Sequence, residues 1–310
     1  LSGDTVEAAV EVLRRGDLVI LPTETVYGLA ADAADPMAVA KIYEAKGRPR
    51  FNPLIAHVSD ADAARRSASF DQRADRLVEA FWPGPLTLVL PAKSVGAVCD
   101  LARAGLETVA VRAPAHPLAR ALIDGFGGAV AAPSANRSGR PSPTTYQDAV
   151  AETGFAAAAM LDGGACRVGV ESTVISLLPG EPARLLRPGG VTRAEIETVL
   201  GPLETAGDDA KRSPGRMALH YAPEAPVRLN ADAPKHGEAY LAFGQSTGGD
   251  DGGLNLSPTG DLQEAAANLF TYLRAADRSK PAAIAVAPIP MHGLGEAIND
   301  RLARAAGFIG

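Results

Sequence analysis

Residues 21–58 decide the reading of this chain. They run Leu21-Pro22-Thr23-Glu24-Thr25-Val26-Tyr27-Gly28-Leu29, then a short helical stretch, then Lys46-Gly47-Arg48-Pro49-Arg50-Phe51-Asn52-Pro53-Leu54-Ile55-Ala56-His57-Val58. A short buried strand over 18–21 ends at Pro22, Asp35 and Pro36 open a helix, Gly47 stops it after Lys46, and 54–58 is the next strand. Between Lys41 and Arg50 four basic residues stand against one acid, Glu44. Lys46, Arg48, Asn52 and His57 therefore fall where a helix hands over to a strand. Charge-assisted hydrogen bonds to phosphate or carboxylate are the strong ones, so donors gathered at element ends suit an anionic ligand with several oxygens.

The same alternation extends in both directions. Asp4 with Glu7 forms a capping-box pattern ahead of an amphipathic helix over 5–15. Helical patterns recur over 71–82 and near 116–124, 144–152 and 192–200. Strand patterns fall at 86–90, 108–112, 129–132, 157–161, 173–178 and 184–187. This order predicts an α/β domain over 1–200, with helices covering a twisted sheet that is not strictly parallel. Over 201–224 the pattern lapses into Gly, Pro and Asp, although Arg216, His220 and Tyr221 lie there. A structureless loop of that length within one domain is unusual, so the stretch reads as a linker. Residues 225–310 resume with a strand at 240–243, a Gly-Asp-rich loop at 248–253, a helix at 262–276, a strand at 283–287 and a helix at 296–306. That alternation predicts a small α/β domain with a parallel sheet.

Composition narrows the function classes. The 310 residues are 46% hydrophobic and 21% charged, ordinary for a globular protein of two domains. No apolar run reaches the ~18 residues of a membrane helix, and no basic-then-apolar leader opens the chain, so the expectation is a cytoplasmic protein off the membrane. Net charge is −6, split evenly as −3 over 1–200 and −3 over the rest. A protein that wraps a nucleic-acid backbone carries a basic footprint, so stable DNA or RNA binding is disfavoured. Cys99 and Cys166 have no CxxC spacing, which leaves a disulfide framework or Cys-rich zinc site unsupported, and no metal-ligating residues are assigned.

The common nucleotide, dinucleotide, zincin and serine-hydrolase signatures are absent, so any nucleotide chemistry uses another cradle. Each candidate also has a plain account. Lys46 at a helix C-terminus complements the macrodipole, His57 in an apolar strand suits a satisfied core histidine, and Arg112 at a strand end suits a surface ion pair. Thr23, Glu24 and Thr25 are turn formers, yet loops at strand ends are where α/β domains keep ligands. The stretch 133–143, with Ser134, Asn136, Arg137, Ser138, Gly139, Arg140 and Ser142, offers donors for phosphate oxygens, and 169–173 repeats the theme. Each signal is weak alone; together they converge.

Several motifs carry a resemblance. Pro22-Thr23-Glu24-Thr25-Val26-Tyr27-Gly28-Leu29, Lys46-Gly47-Arg48-Pro49 with Asn52-Pro53-Leu54, Pro83-Gly84-Pro85-Leu86-Thr87, Pro133-Ser134-Ala135-Asn136 with Ser138-Gly139, Glu171-Ser172-Thr173-Val174 and Leu186-Arg187-Pro188-Gly189 resemble, in order and spacing, the successive motifs of the YrdC/Sua5 family. Ser213-Pro214-Gly215-Arg216-Met217 with His220-Tyr221-Ala222-Pro223 resembles the linker of the two-domain Sua5 type. Ser176 departs from the pattern, where many members carry an acid near that position. The resemblance implies a YrdC-like twisted mixed sheet, a linker that acts as an active-site lid, and a small Rossmann-like α/β domain.

It also implies a nucleotidyltransferase that makes L-threonylcarbamoyl adenylate from L-threonine, bicarbonate and ATP, with Mg2+ on the triphosphate held mainly by its oxygens. The product would pass to a tRNA threonylcarbamoyl transferase for modification of adenosine 37. By carry-over, Thr23, His57, Arg112 and Ser172 hold threonine or its carbamate. Arg48, Asn52, Thr108, Ala132, Ser134, Ser142, Arg187 and Tyr221 hold ATP, and Lys46, Arg48, Ser134 and Asn136 stabilise phosphate and transition state. Two other readings remain at this point: a non-catalytic RNA-binding module, opposed by the net charge, and a carbamoyl transferase of the hydrogenase-maturation kind, opposed by the lack of Cys-rich zinc segments.

Overall fold

The computed structural model describes residues 3–93, 97–205, 221–245 and 254–307. Helix α1 (Val6–Arg14) is capped by Thr5 rather than Asp4: the Thr5 hydroxyl accepts the Ala8 amide at 3.3 Å. Asp4 instead exchanges backbone and carboxylate hydrogen bonds with Met160, each 2.8 Å, and so stitches the N-terminus to the strand Ala157–Met160. Strand β1 (Leu18–Leu21) is buried along its whole length and is followed by β2 (Gly28–Asp32), for which no alternating pattern gave notice. Asp35 caps α2 (Pro36–Lys46), which stops at Gly47 with φ 58°, the left-handed conformation that glycine adopts without a Cβ penalty. Strand β3 (Ile55–His57) follows.

The chain continues through α3 (Ala61–Arg65), α4 (Gln72–Phe81), β4 (Leu86–Pro91), β5 (Thr108–Arg112), α5 (Pro117–Phe126), β6 (Val130–Ala131) and α6 (Tyr146–Thr153). Then come β7 (Ala157–Met160), β8 (Thr173–Ser176), β9 (Arg184–Arg187), α7 (Arg193–Leu200) and β10 (Glu204–Thr205). Among the described residues ten strands form one mixed sheet in the order β10-β9-β8-β4-β5-β3-β6-β2-β1-β7. Its edge strand β10 lies inside the stretch read as linker, so the first sheet reaches Thr205. Apolar side chains fill both faces, Ile20, Leu29, Leu54, Leu77, Leu88 and Val111 on one and Val12, Leu13, Val19, Leu122 and Ile123 on the other.

Register sets the site. Strands β3 and β5 run parallel with His57 beside Arg112. Strand β4 is antiparallel to β5 and parallel to β8, with Leu86 beside Thr173. The last residues of β3 and β5 and the residues just before β8 therefore share one edge of the sheet, where backbone ends leave room for a ligand.

The remaining elements are β11 (Val227–Arg228), β12 (Glu238–Ala242), β13 (Leu254–Asn255), α8 (Leu262–Arg278), β14 (Ala283–Val286) and α9 (Gly295–Ala305). The four strands form an all-parallel sheet, β11-β14-β12-β13. Its core of Leu241, Leu269, Phe270, Ile284 and Ile298 also takes in Val26 and Val170, two residues of the motif loops of the first sheet. Among the described residues no helix is long and apolar enough to cross a membrane. Arg216, His220 and the 248–253 loop lie outside the described residues.

Candidate active site

At the shared sheet edge lies a cleft whose empty space, counted out into open solvent, is about 550 Å³. Its floor comes from β3 and its neighbours, and its walls from the motif loops at 22–28, 47–54, 132–134, 171–172 and 187. Those loops are bound to one another by backbone hydrogen bonds. Tyr27 N–H donates to Pro143 O and Leu29 N–H to Pro133 O, each at 2.9 Å, while Ala135 N–H donates to Tyr27 O at 2.7 Å. Gly189 seats the 187–190 turn directly on the 171–173 backbone, since a Cβ there would lie 2.3 Å from Glu171 O.

One end of the cleft is cationic. Arg48 is 8% exposed and donates from Nε to Asn52 O at 3.3 Å and from Nη2 to Pro53 O at 3.0 Å. Behind it Lys46, 3% exposed, donates from Nζ to Ser134 O at 2.5 Å and also to Asn136 O. Neither residue makes an ion pair among the described residues; carbonyl oxygens accept their hydrogen bonds, and the Glu152 carboxylate favours the Lys46 charge from a distance. Burial pushes the Arg48 guanidinium down to about 10, and burial together with the Arg48 charge holds the Lys46 ammonium well below its usual range. Arg187 joins them, with Nε and Nη2 on Ser172 O at 3.1 and 2.9 Å and Nη2 on Ser172 Oγ at 3.1 Å.

The opposite end is charge-balanced. Arg112 donates to Glu24 Oε1, Thr25 Oγ1 and Gly84 O at 2.6, 3.0 and 3.2 Å. Its five N–H groups leave two free to fork onto a ligand carboxylate. His57 beside it contacts Ile55 O through Nδ1 at 3.2 Å, and burial followed by the Arg112 charge pushes its imidazole down to about 3, so it is neutral throughout the physiological range. The Thr23 hydroxyl donates to Val26 O at 2.6 Å and accepts the Thr25 and Val26 amides, fixing the turn that points this loop into the cleft.

Thus Thr23, Arg48, His57, Arg112, Ala132, Ser134, Ser172, Arg187 and Tyr221 all line the cleft. Other expected residues stand behind the wall. Lys46 grips the 134–136 backbone, the Asn52 carbonyl receives Arg48, and Asn136 Nδ2 donates to Arg137 O and Arg140 O at 2.7 and 2.9 Å, folding the loop back on itself. The Ser142 hydroxyl donates to Glu171 Oε1 at 2.5 Å. Thr108 starts β5 opposite Pro91, at the other end of the strand from Arg112, and does not line the cleft. Gly28, Thr25 and Glu171 line it without having been singled out as ligands. Of the 201–224 linker expected as a lid, residues 206–220 lie outside those described; Tyr221, which is described, has its ring 5.5 Å from that of Phe270.

Comparison with known proteins bears on both sheets. A family model named for Sua5, YciO and YrdC and described as telomere recombination matches residues 11–189, and one described as the threonylcarbamoyl-AMP synthase C-terminal domain matches 191–307. The chain is 41% identical over 320 residues to threonylcarbamoyl-AMP synthase of Bacillus subtilis (strain 168), covering 96% of this chain and 92% of that protein. It is 40% identical over 325 residues to threonylcarbamoyl-AMP synthase of Pyrococcus abyssi (strain GE5 / Orsay), covering 98% and 94%. The solved structure of P. abyssi Sua5 complexed with L-threonine matches with a TM-score of 0.89 at 39% identity, over 98% of this chain and 94% of that one.

Proposed function

The chain belongs to the Sua5/YciO/YrdC family and carries the Sua5-type C-terminal domain, and on that premise we propose that it condenses L-threonine, bicarbonate and ATP into L-threonylcarbamoyl adenylate, releasing pyrophosphate and water. The amine of threonine adds to CO2 derived from bicarbonate. A carbamate oxygen then attacks the α-phosphorus, and pyrophosphate leaves with the electron pair of the broken P–O bond. Mg2+ enters as part of the nucleotide substrate. The product is a mixed anhydride suited to acyl transfer, and its proposed consumer is a tRNA threonylcarbamoyl transferase acting on adenosine 37.

All reactants are anionic or zwitterionic, so the work of the protein is alignment and charge stabilisation. The division of charge in the cleft supports the assignment. Arg112, already balanced by Glu24, offers its remaining N–H groups to the carboxylate of an overall neutral amino acid, with Thr23, His57 and Ser172 around it. Arg48 and Lys46, in direct ion pair with no carboxylate among the described residues, face a polyanion, with Arg187, Ser134, Ala132 and Tyr221 completing the nucleotide end. In this reading Asn52 acts through its carbonyl on Arg48, Asn136 through the loop it folds and Ser142 through Glu171, while Thr108 does not line the cleft.

The single observation that carries the reading is this pair of buried cations, Lys46 and Arg48, hydrogen-bonded among the described residues to carbonyls rather than to carboxylates at the wall of a cleft. Burial of an unpaired charge costs several kcal/mol, which an incoming triphosphate offsets. The test is ATP-to-pyrophosphate conversion measured with and without threonine and bicarbonate. Release that requires both supports the reading; release driven by carbamoyl phosphate, or RNA retention without turnover, contradicts it.

A further inference from the structure

The mechanism above leaves one fully buried charge unused. Arg301 lies on α9 at a position that its helix period assigns to the core, between Ile298 and Leu302 on one side and Ala305 on the other, and it is 0% exposed. A charge at such a position is not needed for docking, because the apolar neighbours already supply contact, and an apolar residue of similar volume commonly packs as stably. Its partners belong to the cleft. Nε donates to Glu171 Oε2 at 2.8 Å, Nη1 to Pro188 O and to Asp300 Oδ2, each at 2.8 Å, and the guanidinium carbon lies 5.4 Å from the centre of the Tyr221 ring. Glu171 and Tyr221 line the cleft, and Pro188 follows Arg187, which also lines it.

We propose that Arg301, supplied by the C-terminal domain, is a positioning residue for the nucleotide end of the cleft. One planar fork fixes three wall segments relative to one another: Glu171 directly, Arg187 through the next carbonyl, and Tyr221 through the ring face. Glu171 passes the constraint to Ser142 through a 2.5 Å hydrogen bond. Among the described residues the threonine end makes no hydrogen bond to Arg301: Glu24 holds Arg112 and the Ala115 amide, and the C-terminal domain touches this loop through the apolar packing of Val26 instead. The C-terminal domain is therefore a structural determinant of ATP binding rather than a passive appendage. This inference rests on the assignment of ATP to that end of the cleft.

The experiment compares Arg301→Lys, Arg301→Met and Glu171→Gln with Arg193→Gln. Arg193 of α7 pairs with Glu296, on the same helix as Arg301, at 2.8 Å but does not line the cleft, so it controls for loosened docking of α9. Pyrophosphate release gives KM for ATP and for threonine separately, calorimetry gives ATP affinity, and thermal melts report folding. Arg301→Lys and Arg301→Met are expected to raise KM for ATP by about tenfold or more while KM for threonine stays within about twofold, and Arg193→Gln to move neither. Equal rises for both substrates, no rise, or the same rise in Arg193→Gln would overturn the proposal. Should Arg301→Met not fold, Arg301→Lys combined with Glu171→Gln decides: a double variant no worse than Glu171→Gln alone supports action through Glu171, and additive losses refute it. Absence of threonine-dependent turnover in the wild type counts against the functional reading; normal wild-type turnover with unaffected Arg301 variants counts against Arg301 alone.

Discussion

Arg112 Nη2 donates to Glu24 Oε1 at 2.6 Å, and both side chains are 4% exposed. Glu24 Oε2 also accepts the Ala115 amide at 3.0 Å, so the carboxylate ties the end of β5 to the loop beyond it. Burial alone would raise the Glu24 carboxyl, but the Arg112 charge and hydrogen bond bring it below its ordinary value. Glu24 stays ionised at neutral pH, and Arg112 meets its ligand already aimed.

From this geometry Arg112→Ala is expected to do two things. It strands a buried carboxylate, which costs about 3–5 kcal/mol of stability, and it removes the carboxylate fork, so KM for threonine rises more than KM for ATP. Urea denaturation and substrate titration read the two effects. Adding Glu24→Gln should recover part of the stability but none of the threonine affinity, because only the stranded charge is repaired. Arg112→Ala with the wild-type urea midpoint would refute the buried-pair argument.

Lys46 predicts a different pattern. Its ammonium is the donor for two carbonyls, Ser134 O and Asn136 O. Lys46→Ala leaves both unmet, at a cost of about 1–3 kcal/mol for each group that water does not reach, and it lets the 134–136 backbone drift from the cleft; removal of the buried ammonium works the other way, relieving several kcal/mol. Pyrophosphate release should be lost while the protein still unfolds cooperatively near the wild-type temperature. Retained pyrophosphate release would show that neither the ammonium nor the backbone it holds is needed.

Acid sensitivity follows from His57. The folded chain holds the imidazole neutral down to about 3, whereas the unfolded chain takes up a proton near its ordinary value of 6.5. The stabilisation is complete above 6.5 and is lost as pH falls from there toward 3, by up to about 1.4 kcal/mol per pH unit. Glu24, also depressed, acts in the same direction at lower pH. Urea midpoints between pH 7 and pH 4.5 should decline less steeply in His57→Gln than in the wild type; equal slopes would remove His57 as the cause.

Legibility in the sequence tracked local physics. The Asp35, Pro36 and Gly47 signals placed α2 within a residue because caps and the left-handed stop act locally. Strand β2, Gly-Leu-Ala-Ala-Asp, escaped notice because it is buried on both faces and so has no polar alternation, and β11 and β13, two residues each, carry no periodic signal at all. At the N-terminus Asp4 and Thr5 both suit a cap, and only the long-range pairing of Asp4 with Met160 decided between them. The cleft residues were visible as motif loops, but which of them face the ligand was not. Lys46 and Ser142 brace the wall because a carbonyl and a carboxylate from distant segments claim their donors, and Asn136 because its own loop folds back onto it. Arg301 did leave a signal, a charge on the apolar stripe of a helix, which gains meaning only beside Glu171, far away in sequence.

The most direct test of the central claim is Arg48→Ala in the threonine- and bicarbonate-dependent pyrophosphate assay. Among the described residues the Arg48 side chain bonds only to the carbonyls of Asn52 and Pro53, both in its own loop, so its loss should leave the sheet intact. The account predicts that pyrophosphate release falls by about a hundredfold or more, the scale expected when a preorganised charge donor is removed, with a cooperative thermal transition retained. Near wild-type turnover in a folded Arg48→Ala protein would contradict it.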